Sequence, residues 1–274
     1  MGLFDYEKEG PGVSKDAPKK KGVFLFFELL GRKIGKFVQI NMLYFIASLP
    51  MLAVGFLLGS FFARYAGNIR GVDLSQNPVI LTMASLFFCV CFVVFIGSGP
   101  ASAALANFNR CVIREEHTYV AADFCEVYRK NFKQSMIVSI INPIIAFALI
   151  FGMMFYGVQY LTTPNSVFWL AAMIIMGIVL AIFAGACFYI YQLMITFENT
   201  VFELYKNAVI LSLMSLPQNI LYIIIVMALS YVIFMSLTPV VSLIAAFLLW
   251  ISVMRFLVEF GAARKIKAKL IDTK

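Results

Sequence analysis

Apolar positions gather into six long runs, near residues 37–63, 79–107, 135–161, 166–195, 208–235 and 238–260, with charge almost confined to the stretches between them. An α-helix needs about 20 residues to cross about 30 Å of hydrocarbon, and each run exceeds that length. The pattern predicts an all-α membrane protein with six transmembrane helices. It forms one domain over 23–274, behind a polar arm over 1–22. The arm carries Gly10-Pro11-Gly12 and Pro18-Lys19-Lys20-Lys21 and reads as irregular chain.

Residues 23–36 (VFLFFELLGRKIGK) place Phe24, Phe26, Phe27, Leu29 and Leu30 ahead of basic residues. This suits either a short helix at the inner membrane surface or an extension of the first span. Similar blocks recur at Glu126-Val127-Tyr128-Arg129-Lys130 and Phe202-Glu203-Leu204-Tyr205-Lys206, each ahead of an odd-numbered span that carries Pro50, Pro143 or Pro217. Three helical hairpins, each preceded by a cytoplasmic interfacial helix, are one reading; chance similarity of amphipathic entries is the other. The turns at 64–78, 162–165 and 235–239 are expected outside.

Composition agrees: 62% of residues are hydrophobic and 13% charged, against roughly 45–50% and 25% in soluble domains. The net charge of +8 could suggest nucleic-acid binding, but its distribution points elsewhere. Basic residues crowd the segment before span one, the loops 108–134 and 196–207, and the tail after span six, whereas the alternate loops hold only Arg64 and Arg70. That is the positive-inside asymmetry. It predicts a multi-pass membrane protein with both termini and the loops 108–134 and 196–207 in the cytoplasm, and no nucleic-acid partner. The cysteines Cys89, Cys91, Cys111, Cys125 and Cys187 avoid the external loops, so no disulfide framework is expected. Cys89-x-Cys91 points to two helix faces and reads as filler.

Candidates for chemistry are few. Arg255 and Glu259 stand four residues apart near the inner end of span six and can pair along one helix face. They read either as a snorkelling, self-neutralised pair at the interface or as an ion site. Asn41, Asn142 and Asn219 suit interhelical hydrogen bonds, as do Gln39, Gln159, Gln192 and Gln218; Pro50, Pro143 and Pro217 suit local kinks, and the alternative is a substrate path lined by polar groups at those kinks. Gly97-Ser98-Gly99-Pro100-Ala101-Ser102-Ala103-Ala104 is either a packing seam, kinked at Pro100, or a hinge or docking face for another helix. His117 stands without histidine partners, and no P-loop, H-E-x-x-H or G-x-S-x-G string occurs. Neither enzyme activity, a cofactor, a metal nor direct nucleotide binding is expected.

Several segments together resemble the YesL-like family of small bacterial integral membrane proteins, a domain of unknown function. They are DYEKEGPGVSKDAPKKK (5–21), FFELLGRKIGKFVQINMLYFIASLP (26–50) and GPASAALANFNRCVIREEHTYVAADFCEVYRKNFKQS (99–135). In the last block Gly99, Pro100, Ala101, Ala104, Asp123, Phe124, Asn131, Phe132, Lys133 and Gln134 follow the family's pattern. The resemblance implies the bacterial cytoplasmic membrane and a setting beside carbohydrate ABC importers, and so a non-catalytic accessory or regulatory subunit that docks to sugar permease subunits. Tyr119, Phe124, Tyr128 and Phe132 suit a docking helix, or equally an inner-leaflet anchor. The alternatives are an independent small-solute transporter or channel, and a divergent ABC permease subunit.

Overall fold

The structure, a computed structural model, describes residues 22–69, 78–163, 167–236 and 238–266. The expected arm over 1–22 lies outside these residues except for Gly22, as do most of the 64–78 turn and Lys267, Lys269 and Lys274 of the basic tail. The described residues form helices and no strand: α1 (Val23–Arg32), α2 (Ile34–Ala47), α3 (Leu49–Ile69), α4 (Pro78–Ile96), α5 (Pro100–Ile113) and α6 (Val120–Lys130). There follow α7 (Phe132–Thr162), α8 (Val167–Thr196), α9 (Val201–Met214), α10 (Leu216–Ser236), α11 (Pro239–Ala245), a π-helical turn (Ala246–Trp250) and α12 (Ile251–Ile266). Six of these segments are long and apolar enough to cross a membrane: Leu49–Asn68, Pro78–Ile96, Phe132–Thr162, Val167–Thr196, Leu216–Met235 and Pro239–Ala263.

Three of the expected spans are corrected. The run 37–63 is two helices that part at Ser48, 79–107 is two that part at Gly97–Gly99, and 208–235 is two that part at Ser215. Proline supplies the physical reason. It lacks an N–H and clashes with the preceding turn, so it is best tolerated where that N–H would go unpaired, at a helix start. Pro50 and Pro217 are the second residues of α3 and α10, and Pro78, Pro100 and Pro239 are the first residues of α4, α5 and α11. Pro50, Pro100 and Pro217 therefore mark new helices rather than kinks. Pro143 alone among the described residues lies inside a helix.

The Glu-containing blocks read as interfacial helices fall on α1, α6 and α9. The first differs from the others because α2 intervenes between it and its long helix. α1 is separate from α2, with Lys33 between them. It turns Phe26 and Leu29 inward, Phe26 stacking on Phe256 at 5.1 Å, and leaves Phe24 and Phe27 exposed. α3 lies along α4 and α7 along α8, while α10 packs more on α4 than on α11 or α12.

Burial is graded along the long helices. Every residue of α8 from Gly185 to Met194 is buried, as are Cys89–Val94 of α4 and Pro100–Ala106 of α5. A helix that is apolar on all sides belongs in a core, and these stretches form one with α12. Farther along α8, Ile174, Ile175, Ile178 and Val179 are exposed, and on α7 so are Ile140, Ile144, Phe147, Phe151 and Phe155. Such surfaces are stable against lipid tails, not water. The end of the bundle that holds α6 and residues 114–119 is called the base here. Arg32 Nη2 pairs there with Glu115 Oε2 at 2.9 Å, and Lys36 Nζ donates to the Thr118 carbonyl at 3.0 Å.

Candidate functional site

The break between α4 and α5 lies inside the core, where water cannot satisfy the free ends of two helices. A helix end leaves up to four carbonyls or N–H groups without intrahelical partners, and burying them unpaired is costly. Side chains from three other helices meet this demand. Arg255 Nη1 of α12 donates to the Val94 carbonyl at 3.0 Å, and Asn142 Nδ2 of α7 donates to the Ile96 carbonyl at 3.2 Å. On the α5 side, the Ser98 N–H donates to Ser102 Oγ at 2.7 Å and the Gly99 N–H to Tyr191 Oη at 3.3 Å. Gly97 and Gly99 have φ of 85° and 63°, the left-handed region where glycine is at ease. A Cβ on Gly97 would stand 2.5 Å from Tyr191 Cε2.

Arg255 places its cation at the C-terminal end of α4, where the helix dipole is negative, and over the Tyr191 ring at 5.3 Å from its centroid. Its counter-charge is Glu259, one turn on, with Nη2 to Oε1 at 3.0 Å. Glu259 Oε2 also accepts from Asn109 Nδ2 and from Gln192 Nε2, both at 2.9 Å. One carboxylate thus ties α12 to α5 and α8. Arg255 and Glu259 are each 1% exposed, so the expectation of a snorkelling interfacial pair is corrected. The i,i+4 spacing allows the pair but does not say which way it faces, and here it faces a broken helix that needs a donor.

Other polar residues foreseen from sequence also reach backbone groups freed by irregular helix geometry. Asn41 Nδ2 donates to the carbonyls of Ala246 and Phe247 at 2.8 and 2.6 Å, and its Oδ1 accepts the Ser252 N–H at 2.7 Å. Ala246 and Phe247 open the π-helical turn and Ser252 follows it, where the wider winding departs from the usual i to i−4 pairing. Asn142 Oδ1 accepts from Tyr205 Oη at 2.5 Å, and Asn219 Oδ1 from Tyr189 Oη at 3.0 Å. Asn109 and Tyr191 went unremarked in the sequence. Asn109 had one signal, an amide in the ANFNR string after a run of small residues; an aromatic among many gave none.

The predicted interaction residues separate. Gly99, Pro100, Ala101 and Ala104 are buried in the chain's own core, so this string is a packing seam and offers no face to another helix. Phe124 is buried against the base, Tyr128 is half-buried, and Tyr119, Phe132 and Lys133 are exposed. Asp123, Asn131 and Gln134 line a groove of about 850 Å³ between α5–α6 and the α8–α9 connection, together with Arg110 and Thr196. The half-buried Arg110 donates to the Ile195 carbonyl at 2.9 Å and to Asn107 Oδ1 at 3.1 Å.

The fold and site define a multi-pass helical membrane protein with a broken helix held by a buried ion pair. The family described as "Protein of unknown function, DUF624" matches residues 79–153. This stretch carries α4, the break, α5, α6 and the first part of α7. No curated protein and no solved structure matches the chain significantly.

Proposed function

We propose that the chain is a non-catalytic accessory or regulatory membrane subunit, acting at the base of its bundle by docking to the permease of a carbohydrate ABC importer. The resemblance of its 99–135 block supplies the partner class. The observation that carries the docking role is the set of rings left outside at the base: Tyr119 is 70% exposed, Phe132 44% and Phe202 78%. Each is near groove-lining residues in sequence, namely Asp123, Asn131 and Thr200. Aromatic residues beside polar recesses are where interface energy concentrates. The test is a mild-detergent pull-down from native membrane after cross-linking, with mass spectrometry of the captured chains. A permease pair should follow the wild type, and Tyr119→Ser with Phe132→Ser should lose it. Capture of the protein alone would sink this reading.

One observation favours a second reading, an independent small-solute transporter. A fully buried Arg–Glu pair beside a discontinuous helix is an arrangement that transporters use. Solute uptake by the purified chain in proteoliposomes would place this reading first.

A further inference from the structure

Among the described residues, four buried side-chain polar atoms have no hydrogen-bond partner: Asn109 Oδ1, Arg110 Nε, Ser215 Oγ and Arg255 Nε. Two of them, Asn109 Oδ1 and Arg255 Nε, stand at the ion pair, and a third, Arg110 Nε, stands at the base groove. Asn109 and Arg255 both bind Glu259, and Arg110, next to Asn109 on α5, lines the base groove. The two walls between groove and ion pair are short. On α8, Thr196 lines the groove and its Oγ1 donates to the carbonyl of Gln192, whose side chain reaches Glu259. Four helical residues rise about 6 Å, so the backbone that sends Gln192 to Glu259 lies about one turn in from Thr196. The same Gln192 amide donates to the Ala106 carbonyl at 3.1 Å, so the two walls meet there.

An unpaired buried polar atom costs about 1–3 kcal/mol, and proteins relieve this cost with internal water where a site offers two to four polar partners. Asn109 Oδ1 can accept, Arg110 Nε and Arg255 Nε can donate, and Glu259 retains further lone pairs. We propose that the base groove continues inward as a hydrated seam whose bound water ends on the Arg255–Glu259 pair. The ligand class is water, held at the inner end between the Glu259 carboxylate, the Asn109 amide oxygen and the Arg255 Nε–H, with Arg110 Nε at the groove end. The pair is then a solvent-linked site inside the membrane-spanning bundle, whatever partner docks at the base.

The test is X-ray hydroxyl-radical footprinting of the full chain in lipid nanodiscs, read by mass spectrometry and corrected for side-chain reactivity. Tyr191, under Arg255, and Phe234, on α10, are buried to 1% and 0% exposure, so bulk solvent reaches neither. With water in the seam, Tyr191 is oxidised several-fold faster than Phe234. Equal protection of the two rings, or equal labelling, overturns the proposal. A bulky maleimide on Glu198→Cys at the groove, in a Cys125→Ser background, should slow the labelling of Tyr191. Unchanged labelling would show that water does not enter from the base and would overturn the connection.

Discussion

Arg255 and Glu259 face each other at 3.0 Å across one turn of α12, with almost none of either side chain exposed. Each partner makes the burial of the other tolerable. Removing one leaves an uncompensated charge, which costs about 3–5 kcal/mol, whereas replacing both with apolar groups costs far less. Arg255→Met and Glu259→Gln should each lower the thermal midpoint in detergent strongly. The double variant Arg255→Met with Glu259→Met should lose much less than the sum. An additive double-mutant cycle would show that the two charges do not support each other.

Gly97→Ala combines two faults, a left-handed φ and a Cβ driven into the Tyr191 ring. The expected result is poor recovery of monodisperse protein and a destabilisation of about 2 kcal/mol or more. Gly35→Ala is the matched control, since a Cβ there meets nothing within 4 Å. It should be neutral or slightly stabilising.

Asn41→Leu keeps the branched outline of the side chain but strips partners from the carbonyls of Ala246 and Phe247 and from the N–H of Ser252. A loss on the order of 2 kcal/mol is expected, since unpaired buried backbone groups cost about 1–3 kcal/mol each and part of that relaxes away. Reversible unfolding in mixed micelles measures it. A change within a few tenths of a kcal/mol would mean that the π-helical turn needs no outside donor.

Thr200 and Glu203 form a capping box at the start of α9, with the Thr200 N–H donating to Glu203 Oε2 at 2.8 Å. Hydrogen bonds from the Thr200 N–H and hydroxyl hold the Glu203 carboxyl below its usual value of 4.5. A depressed carboxylate contributes stability above its unfolded pKa, and loses it as pH falls through the folded value. Corrected for the intrinsic base-catalysed rate, the protection of the amides in the first turn of α9 should therefore be weaker below about pH 4 than at pH 7. In Glu203→Gln that pH step should disappear.

Thiol labelling reads both burial and sidedness. Cys125 is exposed, Cys111 is half-buried, and Cys89, Cys91 and Cys187 are buried. Burial and the neighbouring Glu116 carboxylate push the Cys111 thiol up, which lowers its thiolate fraction. Maleimide should modify Cys125 first, Cys111 slowly and the other three only after unfolding. An impermeant maleimide should reach Cys125 in inverted vesicles and not in intact cells if the basic loops face the cytoplasm. The reverse pattern would overturn that orientation.

Hydropathy located the six crossings because lipid demands long apolar helices, and residues 135–161 and 166–195 agree with α7 and α8 to within three residues. The same measure passed over the breaks at Ser48, Gly97–Gly99 and Ser215, because a serine or glycine between apolar neighbours hardly changes a window average. The prolines carried the missing signal, and reading Pro50 and Pro217 as first-turn residues would have split both runs. Asn41, Asn142 and Asn219 could be singled out as amides in apolar surroundings. Their acceptors could not, since which backbone carbonyls go unpaired is a property of the folded helices. The direction of Arg255 and Glu259 was hidden for the same reason.

The amide of Asn41 and the carbonyl of Ala246 are 205 residues apart in the chain. During synthesis α2 is therefore made long before its acceptors exist, and the early helices wait with a polar group unpaired. Only when the last crossing arrives can the amide reach these acceptors, which join the first and last parts of the domain. A chain cut short before α11 would keep most of its apolar helices yet display a stranded amide in lipid. That unpaired amide is the chemical mark that separates an unfinished copy from a finished one.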